Sequence, residues 1–86
     1  ILYGSGELTR KFIAQQETDK TYQIAGVVDS SPSRHGKNLE GFVIDKPSIL
    51  SNVDFPIVIC SIVFSQEIYS ILLQMGIAPK KLFKLF

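Results

Sequence analysis

Ile1-Leu2-Tyr3-Gly4-Ser5-Gly6-Glu7-Leu8 decides the fold: an apolar stub, two glycines one residue apart, and the opening of a helix. The helix is expected from about Gly6, because Leu8, Phe12 and Ile13 share one helical face before the polar run Gln15-Gln16-Glu17-Thr18-Asp19-Lys20 ends it. Tyr22 to Asp29 then reads as a second strand. This succession is a βαβ unit, and its glycines stand where a phosphate would meet free backbone N–H groups at a helix N-terminus.

Two residues qualify that seat. Thr9 occupies the position where the dinucleotide fingerprint wants a small residue, and its β-branch is expected to hold the helix slightly away from the strand. Glu7 suits the positive end of the helix but competes with a phosphate for it, so binding requires its carboxylate to turn aside. The alternative is a glycine turn that only joins strand to helix. Asp29 closes the second strand where the fingerprint places an acid that accepts from ribose hydroxyls and disfavours a 2′-phosphate. In Asp29-Ser30-Ser31-Pro32 the same carboxylate can cap a turn, and the residue alone leaves both roles open. Arg34, His35 and Lys37 crowd the following loop, either solvated or meeting a ribose phosphate, a diphosphate or a carboxylate.

The chain has 86 residues, 45% of them hydrophobic, and reads as one small domain, residues 1–86, excised from a longer polypeptide. Nine basic and eight acidic residues leave a net charge of +1, so no nucleic-acid partner and no polybasic membrane segment is expected. The longest apolar run, Phe55 to Phe64, falls far below the roughly 20 residues needed to span a bilayer. With no secretory signal pattern, the expected location is cytoplasmic. Cys60 stands alone within a strand pattern and reads as core, and no metal-ligand spacing occurs.

In the second half, Gly36 and Gly41 bracket Lys37-Asn38-Leu39-Glu40, and Phe42-Val43-Ile44 is a short third strand ended by Asp45-Lys46-Pro47. Pro47 to Leu50 is at most a helical turn. The β-branched run Pro56-Ile57-Val58-Ile59-Cys60-Ser61 is a central fourth strand, covered on both faces. Ser65 is expected to cap a helix carrying Ile68, Ile71, Leu72 and Met75 on one face and stopped by Gly76. Leu82 to Phe86 completes a mostly parallel five-stranded α/β sheet of order 3-2-1-4-5, a small Rossmann-like three-layer sandwich. The order reverses between strands one and four, so a ligand is expected there, beyond the strands' carboxyl ends. Gly4, Ser5, Gly6, Asp29, Ser30, Arg34 and Ser61 are the candidate binding residues.

Tyr-Gly-Ser-Gly-Glu at the first turn, Ile-Ala-Gly-Val-Val-Asp-Ser-Ser-Pro on strand two, the Gly36 and Gly41 bracket, and the Ser61 strand followed by Gln66-Glu67-Ile68 together resemble one family. It is the Rossmann-like, CoA-binding-like domain at the front of polysaccharide-biosynthesis nucleotide-sugar dehydratases, epimerases and sugar acyltransferases, also appended to related methyltransferases and glycosyltransferases. The resemblance covers nearly the whole chain. It implies a nucleotide-type ligand (NAD, a UDP-sugar or CoA) held by Gly4, Ser5, Gly6 and Asp29, with a catalytic domain elsewhere in the parent enzyme.

No catalytic constellation is legible. His35 is the only histidine and lies in a glycine-flanked loop remote in sequence from Cys60 and the serines, and no Tyr-x-x-x-Lys helical pair accompanies Tyr3, Tyr22 or Tyr69. Two readings remain: a nucleotide or nucleotide-sugar binding module without catalytic residues of its own, or a ligand-free module serving packing or homo-oligomerisation.

Overall fold

Alternating burial along very short strands organises the chain around one sheet, seen in a computed structural model that describes residues 1–86. The strands are β1 (Leu2–Tyr3), β2 (Val27–Val28), β3 (Asn38–Leu39), β4 (Phe42–Asp45), β5 (Ile57–Ile59) and β6 (Leu82–Lys84). Two helices, α1 (Glu7–Asp19) and α2 (Ser65–Gln74), cover them. The sheet runs β3-β4-β2-β1-β5-β6, and every pairing is parallel except β3 with β4. Setting β3 aside, this is the expected order, with the reversal between β1 and β5.

The additional strand, β3, is the departure. Gly36 and Gly41 take φ of 83° and 92°, and Glu40 between them takes 50°, so the chain doubles back and Asn38-Leu39 lies antiparallel on Phe42-Val43. The second strand is also shorter than its pattern. α1 runs through the whole polar stretch to Asp19 and closes at Lys20 in the left-handed region. The buried Gln16 then reaches back to accept the Tyr22 N–H at 2.9 Å, and the Tyr22 ring lies 6.1 Å from that of Phe12. Tyr22 is thereby tied to the helix, and Tyr22 to Ala25 stay outside the ladder.

Each face of the sheet has its own core. Tyr3, Val28, Ile57 and Ile59 point to α2, where Ile68, Leu72 and the 3-10 residue Leu50 bury against them. Leu2, Val27, Ile44 and Cys60 point the other way, onto Ile13 of α1. Adjacent strand residues go to opposite faces, which is why a two-residue strand serves both layers. Leu72 is completely buried, and truncating such a leucine to alanine costs about 2–5 kcal/mol. Ser65 does not cap α2 as expected: Phe64 is the N-cap and Ser65 is the first helical residue, buried beneath the helix start. The stop at Gly76 is as expected, with φ of 83°. No helix is long and apolar enough to cross a membrane.

Candidate functional site

The site grows from the end of β1. Gly4 takes φ of +117°, a conformation that L residues rarely adopt, and turns the chain out of the sheet while its N–H still donates to the Val28 carbonyl at 2.8 Å. A Cβ at this position would lie 3.6 Å from the Cys60 carbonyl group, so the β1 turn and the end of β5 pass in van der Waals contact. Ser5 is 2% exposed, and both its N–H and its hydroxyl donate to Asp29 Oδ2, at 2.9 and 2.7 Å. Gly6 is the N-cap of α1 with φ −87°, and no side chain caps the helix. The N–H groups of Gly6, Glu7 and Leu8 find no acceptor in the chain, so the positive end of α1 opens beside β1 and β5.

Thr9 and Glu7 behave differently from what their residue types suggest. Thr9 is fully buried and donates its hydroxyl to the Gly4 carbonyl at 2.8 Å, tying the helix to the turn where it was expected only to space them apart. The Glu7 carboxylate is drawn one turn along the helix onto Arg10, with the Arg10 Nε bond at 3.0 Å. That hydrogen bond holds the Glu7 carboxyl below its usual range, which meets the condition that it turn aside from the helix end.

Asp29 combines its two possible roles. Oδ1 accepts from the Ser31 N–H at 2.8 Å, the turn-capping bond, while Oδ2 anchors Ser5. Asp29 also extends the sheet, donating its N–H to the Asp45 carbonyl at 3.0 Å. Arg34 lies at the end of a 3-10 turn, Pro32–Arg34, and folds inward. Its Nη1 donates to the Ser5 carbonyl at 3.0 Å, with the Ser5 hydroxyl at 3.4 Å. His35 Nε2 donates to the Asp29 carbonyl at 2.6 Å, a geometry that requires the proton on that nitrogen. Ser30 Oγ is hydrogen-bonded to the Tyr3 hydroxyl.

Gly4, Ser5, Gly6, Asp29, Ser30 and Arg34 therefore come together across β1 and β2. Ser61 is not joined to them by any hydrogen bond; its Oγ accepts the Phe64 N–H at 3.2 Å within its own loop. That loop is the feature that strand and helix patterns pass over: Ile62, Val63 and Phe64 are 65%, 83% and 56% exposed at the carboxyl end of β5. The signal lies in the apolar run itself, which continues past the strand. A cavity of about 590 Å³ lies elsewhere, on the α1 side near the amino ends of β1, β2 and β5, where Phe12, Tyr22, Phe55 and Phe83 line it. It is mostly apolar, with Gln23 and Lys84 as its polar side chains, and it lies at the opposite ends of these strands from the free N–H groups.

The arrangement can hold an anion against backbone N–H groups and can position a guanidinium beside it. Two solved structures share the fold: a Rex-family repressor, at TM-score 0.67, and the same repressor in complex with beta-NADH, at 0.66. Each is 15% identical, covering 99% of this chain and 51% of the other, so the chain spans about half the length of the structures it matches. No curated protein matches. The Rossmann-like part of the resemblance holds at the level of fold; the finer assignment to polysaccharide biosynthesis is not carried by these matches. Residues 1–83 match the family model described as C2185-like, N-terminal, and the chain belongs to that family.

Proposed function

We propose that this domain is a nucleotide-binding module that seats a ligand phosphate on the N-terminus of α1. The observation that carries the reading is the uncapped helix end behind Gly4, placed where the strand order reverses between β1 and β5. Support comes from the likeness in fold to a repressor solved with beta-NADH. The ligand is of nucleotide type, NAD, a UDP-sugar or CoA, contacted by Gly4, Ser5, Gly6, Asp29, Ser30 and Arg34. By the resemblance in sequence, a catalytic domain of the same polypeptide would use it in nucleotide-sugar metabolism. The expectation of no nucleic-acid partner rests on net charge alone and draws no support from neighbours that are repressors.

Calorimetry with NAD, NADP, UDP-glucose and CoA tests this. One-to-one binding of at least one of them, lost in Gly6→Val, is expected; silence from all at millimolar concentration in folded protein rejects the reading. A second reading, a packing or self-association module, is favoured by Phe83 and Phe86, both 51% exposed in or just after the edge strand β6. Silent calorimetry together with dimerisation in sedimentation would establish it.

A further inference from the structure

We propose that Ile62-Val63-Phe64 forms the apolar wall of the nucleotide site, and that the ligand carries a second planar ring beyond its phosphates, as a dinucleotide does, where a nucleotide-sugar carries a sugar. The inference rests on the nucleotide reading above and chooses among its ligands. Single exposed apolar side chains are ordinary on a protein surface, but three in succession, each more than half exposed, are not.

Their position names the occupant. Cys60 donates its N–H to the Tyr3 carbonyl at 2.9 Å and its own carbonyl lies against Gly4, so the loop leaves the sheet directly beside the glycine turn. A ligand whose phosphates sit on α1 must extend past this loop on leaving the crevice between β1 and β5.

The serines nearest the loop are already engaged or buried, which leaves the Arg34 guanidinium as the main free donor of the site. Ser61 Oγ accepts from Phe64 N–H, Ser65 is buried, Ser30 is bonded to Tyr3, and Ser5 to Asp29. A sugar here would lose water from several hydroxyls with few side-chain partners to replace it, whereas a flat ring finds two aliphatic side chains and the Phe64 ring.

The test compares NADH, ADP-ribose, UDP-glucose and CoA on the chain and on Phe64→Ser and Ile62→Ser, whose exposed positions leave the core intact. ADP-ribose keeps the adenosine and both phosphates of NADH and lacks only the second ring. NADH is expected to bind at least about tenfold tighter than ADP-ribose or UDP-glucose, and each variant to reduce that advantage about five- to tenfold while leaving ADP-ribose unchanged. Equal binding of NADH and ADP-ribose, a preference for UDP-glucose or CoA, or variants that bind NADH like the parent would overturn the inference and leave the nucleotide reading standing. If no ligand binds, both fall. If the variants change only the sedimentation of the protein, the loop is a self-association surface and the inference is wrong.

Discussion

Asp29 Oδ2 accepts two hydrogen bonds from a single residue 24 positions earlier, the N–H of Ser5 at 2.9 Å and its hydroxyl at 2.7 Å. The acid at the end of β2 is thus built into the glycine turn at the end of β1, and these hydrogen bonds hold the two loops of the proposed site together. Removing the carboxylate strands the buried Ser5 donors and the Ser31 N–H. We expect Asp29→Ala to destabilise the fold by about 1–3 kcal/mol, with Asp29→Asn losing less because its amide oxygen can still accept. Urea denaturation measures both; equal stability of Asp29→Ala and the parent would show that these bonds contribute nothing.

Arg34 donates one N–H to Ser5 and keeps its other donors free at the exposed rim of the loop. It therefore favours an added phosphate on the ribose, against the sign expected from Asp29, whose two oxygens are already engaged by three donors. Arg34→Ala should weaken NADP about three- to tenfold and NAD less than twofold, solvent screening limiting the effect. Competition between the two nucleotides reads this directly, and parallel losses for both would remove Arg34 from specificity.

The two glycines of the turn separate stability from binding. Gly4 holds φ of +117°, so Gly4→Ala should cost about 1–3 kcal/mol from backbone strain although the added Cβ makes only ordinary contacts. Gly6 sits at φ −87° with nothing within 4 Å of the place a Cβ would occupy, so Gly6→Ala should fold normally. A side chain there projects from the helix end, and ligand affinity is expected to fall with its size from Ala to Val. Thermal melts beside calorimetry distinguish the pair; a Gly6→Val protein that is unfolded would contradict the open geometry.

Burial pushes the Cys60 thiol above its ordinary value of 9.0. A raised pKa in the folded state means a stability contribution present below pH 9 and lost as pH rises from there through the folded value. The parent should lose up to about 1.4 kcal/mol per pH unit in that window relative to Cys60→Ala, which lacks the titration. Denaturation at pH 8 and pH 10 on both proteins checks the sign, and identical pH dependence would remove Cys60 as the cause.

The sheet order was legible because the β-branched Ile57-Val58-Ile59 demands cover on both faces, and the glycine turn after the first strand together with right-handed crossovers makes 3-2-1-4-5 the natural arrangement. The hairpin strand Asn38-Leu39 was not, since its position depends on Glu40 accepting a left-handed conformation between two turning glycines. Tyr22 to Ala25 have a strand's composition, yet Tyr22 is bonded to Gln16 and none of the four joins the ladder. At the site, the positions of Gly4, Gly6 and Asp29 follow from local spacing. Arg34 crossing to Ser5 and Tyr3 meeting Ser30 are contacts between groups brought together by the fold, and no local pattern announces them.

The central claim is that a ligand phosphate rests on the free N–H groups at the start of α1, and amide chemical-shift mapping during titration with NADH tests it most directly. The account predicts the largest saturable shifts at Gly6, Glu7 and Leu8. No shift at these amides at millimolar NADH in folded protein, or shifts centred on the Phe12, Tyr22 and Phe83 cavity, would contradict it.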